Sequence, residues 1–75
     1  MIKFKIDNHD VEVLQDSYNK ENFVIYWQYA YGYLQQTMYY NILTDRLTYT
    51  NHKITERQRI LLIKRLQKIY NNSIK

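Results

Sequence analysis

Residues 23–33 read FVIYWQYAYGY, a stretch whose polar side-chain atoms are the tyrosine hydroxyls and those of Trp27 and Gln28 alone. Whether it is helix or strand decides the fold. A helical wheel collects Phe23, Tyr26, Trp27, Ala30, Leu34 and Met38 on one side, while a strand collects Phe23, Ile25, Trp27, Tyr29, Tyr31 and Tyr33. Both templates fit, so periodicity leaves the choice to propensity. β-Branched and aromatic side chains pack well on a pleated surface and lose χ1 freedom in a helix. Gly32, the one glycine of the chain, would weaken a helix interior by about 1 kcal/mol. The reading is therefore a strand over 23–31, a turn within 32–36 and a return strand over 37–43. Phe23, Ile25, Trp27 and Tyr29 are the bulkier set and the better core face. Val24, Tyr26, Gln28 and Ala30 fall on the other side, together with Lys3 and Lys5.

Upstream, Ile2, Phe4 and Ile6 alternate with Lys3 and Lys5, and Val11 and Val13 alternate with Glu12, the period-two pattern of half-buried strands. Asp7-Asn8-His9-Asp10 between them is turn chemistry. This predicts a hairpin of strands 2–6 and 11–15, with Lys5 and Glu12 as a cross-strand pair. Downstream, Thr44-Asp45 predicts a tight turn between 37–43 and a further strand over 46–50.

Thr55-Glu56-Arg57-Gln58 carries the capping-box signature, in which the threonine hydroxyl accepts from the amide three residues on and the glutamine side chain reaches back. From there RILLIKRLQKIY runs without a breaker, so a helix is expected over about 55–71. At 100° per residue Leu62, Leu66 and Ile69 stack on one face with Ile63 and Tyr70 beside them. Arg57, Lys64 and Lys68 lie nearly opposite. The expected architecture is α+β: an antiparallel β-meander of four to five strands with one C-terminal amphipathic helix packed on one face, as a single domain over 1–75.

The chain has 75 residues and a formal net charge of +4, but that total hides a division. Residues 1–45 carry a net −3, whereas residues 46–75 carry +7 with Glu56 their sole acid. Such polarity steers association with anionic partners and does not by itself shape a fold. Arg57, Lys64, Arg65 and Lys68 form a stripe on the helix, with Lys53 and Lys75 near it, and several cations on one helix face are the electrostatic footprint of phosphate recognition. The bland alternative is a solvated helix face with cations set toward its C-terminus. Lys3 and Tyr26 are the expected contacts on the uncovered sheet face.

Catalysis finds no foothold in the residue pattern. There is no cysteine, neither Ser17 nor Ser73 has a nucleophile motif around it, and one glycine cannot build a phosphate loop. His9 and His52 stand far apart and read as turn residues, so neither a metal nor another cofactor is expected. Arg59 falls on the inner side of the wheel, where its stem can lie on the core while its head reaches water.

No stretch approaches the roughly 18 apolar residues of a membrane span, and the N-terminus lacks the apolar run of a secretion signal, so a cytoplasmic protein is expected. Asn, Ile, Lys, Tyr and Phe make up 34 of the 75 residues. All five have AT-rich codons, which suggests a low-GC bacterium or its phage. The functional expectation is a small non-enzymatic binding protein whose basic helix and sheet face dock on a nucleic acid or nucleoprotein partner. The alternative is an inhibitor or adaptor that binds a host protein, with a homodimer compatible with either.

Overall fold

The computed structural model describes residues 1–29 and 35–74. The expected turn within 32–36 falls largely outside them, as do Ala30 and Tyr31 of the expected strand, Tyr33, and Lys75 of the basic set. Five strands pair in sequence order: β1 (Ile2–Ile6), β2 (His9–Gln15), β3 (Asn22–Gln28), β4 (Gln35–Asn41) and β5 (Arg46–Tyr49). All four pairings are antiparallel, and helix α1 (Glu56–Ser73) packs on one face. This is the α+β meander that the propensities favour.

β3, which holds Phe23 to Gln28, is the central strand of the sheet. Phe23, Ile25 and Trp27 are buried, while Val24 and Tyr26 are half-buried on the opposite face. Strand alternation thus places the bulkiest side chains inward, where they remove the most apolar area from water. Register carries the same rule across the sheet: Val13, Ile25 and Met38 lie side by side, as do Phe23, Tyr40 and Leu47. Leu62 and Leu66 of α1 are fully buried against this surface, with Ile63, Ile69 and Tyr70 packed around them.

β3 ends at Gln28 with Tyr29 outside it, β5 ends at Tyr49 and α1 runs to Ser73, each a shift from the expected bounds, and four further differences have a local reason. The first turn has two residues, not four, because Asp7 and Asn8 both take left-handed backbone angles (φ 49° and 69°), as a type I′ turn requires. β2 therefore begins at His9, and the register pairs Lys3 with Glu12 and Lys5 with Asp10, in place of Lys5 with Glu12. β3 and β4 match at Asn22 with Asn41, so the return strand spans Gln35–Asn41 and not 37–43. The next connection takes four residues, 42–45, because the Asn41 side chain accepts from the amides of Leu43 and Thr44 and Asp45 is left-handed at φ 53°. The helix begins as expected: Thr55 caps it, and its reciprocal box with Gln58 is complete.

Gln36 is a core residue that the hydrophobic pattern conceals. Its side chain is 3% exposed, and it donates to the His52 carbonyl at 2.6 Å while accepting from the Asn51 amide at 3.2 Å. It thus holds the connection between β5 and α1 by its backbone. At the far end, Gln15 donates to the Ser73 hydroxyl at 3.0 Å and Lys20 to the Ser73 carbonyl at 3.0 Å, which ties the helix C-terminus to the β2–β3 connection. Gln36→Leu keeps the volume but leaves two backbone groups unpaired, so it should cost about 1–3 kcal/mol in urea unfolding. Native far-UV circular dichroism should be unchanged. Unaltered stability would show that water can replace the amide.

Candidate docking surface

The helix surface turned away from the sheet is where the expected cations gather. Arg57, Lys64, Arg65 and Lys68 are all exposed, and among the described residues only Arg57 is paired with a carboxylate. Its guanidinium meets both oxygens of Asp7 at the β1–β2 turn, and Gln58 adds a hydrogen bond to the same carboxylate at 3.3 Å. Arg65 sits over the Phe4 ring of β1, its guanidinium carbon 4.4 Å from the ring centroid, a cation–π contact, and it has no carboxylate partner among the described residues. Lys64 and Lys68 have neither kind of partner among the described residues. Arg59 faces the other flank, where it bridges Asp45 at 3.7 Å and Glu56 at 3.4 Å. Its wheel position near the core is thus resolved by two ion pairs.

Two apolar residues in this surface escape a wheel that looks only for cations. Ile60 is 44% and Leu61 36% exposed, directly beside Arg57, Lys64 and Arg65 along the helix. A groove of about 400 Å³ runs between the helix and β1, lined by Phe4, Lys5, Ile6, Asp7, Arg57, Leu61, Lys64 and Arg65. A second, of about 310 Å³, lies on the opposite flank beneath Arg59, Ile60 and Ile63. Lys64 borders both, so it stands on the ridge between them. The signal for Ile60 and Leu61 was in the sequence: the apolar run ILLI exceeds what one helix face can bury.

Lys3 and Tyr26 lie on the other side of the sheet. Register places them in one row with Glu12 and Thr37, beside a second row of Leu14, Val24, Tyr39 and Thr48. Lys3 sits 3.6 Å from Glu12 and Lys5 3.8 Å from Asp10, so these two cations are already balanced, whereas Arg46 on the same face has no carboxylate partner among the described residues. Leu14 and Tyr39 are exposed, which leaves a modest apolar strip in the middle. The six expected contact residues therefore form two surfaces separated by the thickness of the sheet. One flat partner cannot touch both.

Neither histidine sits among ligands. His9 begins β2, stacks at 5.0 Å on Trp27 and has its Nδ1 2.8 Å from the Gln28 carbonyl, while the His52 carbonyl is the acceptor for Gln36. Among the described residues no three of His, Cys, Asp and Glu gather in a way that could hold a metal ion. No helix among them is long and apolar enough to cross a membrane.

Charge and burial move two sets of groups. The hydrogen bond from Arg57 holds the Asp7 carboxyl below its ordinary 3.8, with smaller help from Gln58. Burial, then the hydrogen bond to Asp45 at 2.6 Å, pushes Tyr40 up to about 12. Tyr40, Asp45 and Arg59 thus link the β4–β5 turn to the first turns of α1. No family model matches this chain, and no curated protein or solved structure shows significant similarity to it.

A lowered folded pKa means that the Asp7–Arg57 link is fully present above 3.8 and is lost as pH falls through the folded value. The Asp7 carboxyl should therefore titrate by NMR with a midpoint below 3.8. In Arg57→Gln the midpoint should move back up, with the helix otherwise intact. A midpoint indifferent to Arg57→Gln would remove this contact from the account.

Proposed function

We propose that this protein is a non-enzymatic binding module of the cytoplasm that acts by occupancy, laying the exposed face of α1 against an acidic surface of a partner protein. The observation that carries this reading is the mixture of side chains there. Ile60 and Leu61 are exposed among Lys64, Arg65 and Lys68, three cations with no carboxylate partner among the described residues. Apolar side chains bury well in a protein interface and gain little on a phosphate backbone, while the surrounding charge orients the encounter and raises its rate. A factor that blocks a larger host enzyme needs no more than this.

Nucleic acid is the second reading, supported by the same uncompensated cations. With Arg57 held by Asp7, about three phosphates are neutralised. The logarithm of the binding constant for duplex DNA would then fall with the logarithm of salt at a slope of about −3, a weak and non-specific contact. Single strands could not combine this with stacking on Tyr26, which lies on the far side of the sheet.

Affinity capture from a host lysate, with and without nuclease, separates the two. The expected result is a captured protein that survives nuclease and is lost from the double variant Lys64→Glu, Lys68→Glu, whose circular dichroism is unchanged. Capture abolished by nuclease would transfer the assignment to nucleic acid. Capture indifferent to the charge reversal would reject the helix face altogether.

A further inference from the structure

The first strand of the sheet has a free side. In a two-residue hairpin the residues flanking the turn exchange both backbone hydrogen bonds, so Ile6 and His9 form such a pair, and alternation gives the same role to Phe4 with Val11 and Ile2 with Val13. Lys3 and Lys5 therefore aim their N–H and C=O groups away from β2. β1 is the edge of the sheet, and among the described residues no backbone group bonds to Lys3 or Lys5 from outside. Four main-chain groups in a row await a partner strand.

The electrostatics say what that partner is. A second copy pairing through the same edge would set Lys3 and Lys5 of each chain against those of the other, and like charges directly opposite are destabilising. β5, the other edge, is one residue shorter, and its neighbours Asp45, Arg59 and Glu56 already satisfy one another. Beside β1, on the helix side, Arg65 stacks on Phe4 and Lys64 borders the groove, both without a carboxylate. On the outer side Lys3 and Lys5 are already matched by Glu12 and Asp10. The unmet positive charge lies on one face of the incoming strand only.

We infer that the free edge of β1 takes up an extended acidic segment of a partner protein as a sixth strand, with its carboxylates turned toward the helix. A residue opposite Phe4 places its carboxylate at the rim of the Arg65 fork, while residues opposite Lys3 and Lys5 exchange backbone hydrogen bonds with them and point to the outer face. The inference rests on the proposed docking face of α1 and names the structure of what docks there. It also accounts for the groove, whose one wall is the helix and whose other wall is the unpaired strand.

The test uses the full chain and a capped peptide of four Val-Glu repeats, with two derivatives N-methylated either on every valine or on every glutamate. With glutamates toward the helix, the valine amides are the ones that face β1. The parent peptide should bind and slow the exchange of the Lys3 and Lys5 amides. Methylation on valine should weaken binding roughly tenfold or more by removing the backbone hydrogen bonds, whereas methylation on glutamate should change it less than about threefold. Lys5→Pro, tolerated on an edge because the lost N–H points outward, should weaken binding similarly. If this variant does not fold, the methylated pair alone decides. No binding of the parent, or equal binding of both derivatives, overturns strand addition. If methylation has no effect but Lys64→Glu with Lys68→Glu weakens the peptide, strand addition falls and the helix face stands. If neither matters, both fall.

Discussion

A single helix has to close the core of a five-strand sheet. Leu62 and Leu66 reach the centre of the inner face, where Val11, Val13, Ile25, Trp27 and Met38 are all buried to near completion. Each fully buried aliphatic side chain of this kind contributes about 2 kcal/mol, a large share for a 75-residue chain with no cysteine to form a disulfide. Everything else about the molecule follows from that seam. One helix covers one face, so the outer face and both edges stay open. The helix must also be held at both ends, and polar side chains do this: Arg57 and Gln58 on Asp7, Arg59 on Asp45, and Gln15 and Lys20 on Ser73.

The division of charge along the chain acquires a physical sense in three dimensions. Acids of the front half sit at hairpin turns and on the outer face, and basic residues of the last thirty arrive beside some of them. Asp7 and Asp45 attract Arg57 and Arg59, which clamps the helix N-terminal half across two turns. Exposed pairs of this type are individually weak, so their contribution is to orient the helix and not to stabilise it strongly. The cations beyond the clamp, Lys64, Arg65 and Lys68, meet no carboxylate among the described residues. Charge used for folding and charge left for a partner are thus separated along one helix.

Propensity, capping chemistry and alternation reached the architecture, the helix cap and the inward set of the central strand, because each rests on local chemistry: β-branched residues, a threonine with glutamine three on, and side chains on alternate faces. It did not reach the register of the first hairpin. Asp7 and Asn8 are two of four consecutive turn formers, and only their left-handed angles reveal which two make the turn. Gln36 was equally hidden, since its burial depends on the backbone at residues 51 and 52. For the docking surface, the four helix cations were legible, yet the loss of Arg57 to Asp7 required a contact across fifty residues. The placement of Lys3 and Tyr26 on the uncovered face was legible too, because the bulkier alternate set of the central strand, Phe23, Ile25 and Trp27, marks the face that the helix covers.

That choice of face determines how the molecule can be used. A helix on the outer side would have set the cations over Lys3, Tyr26 and Tyr39, making one continuous basic and aromatic platform. Packed on the inner side, it leaves an outer face on which Lys3 and Lys5 are matched by Glu12 and Asp10 and Arg46 is the one cation without a carboxylate among the described residues. The positive field then meets the exposed Leu61 on the flank where α1 meets β1, while Ile60 lines the groove on the opposite flank. That flank also carries the outward-facing backbone groups of Lys3 and Lys5. Charge, apolar contact and unpaired main chain therefore meet at the groove between α1 and β1, which is why the proposed sixth strand is placed there and not on the outer face.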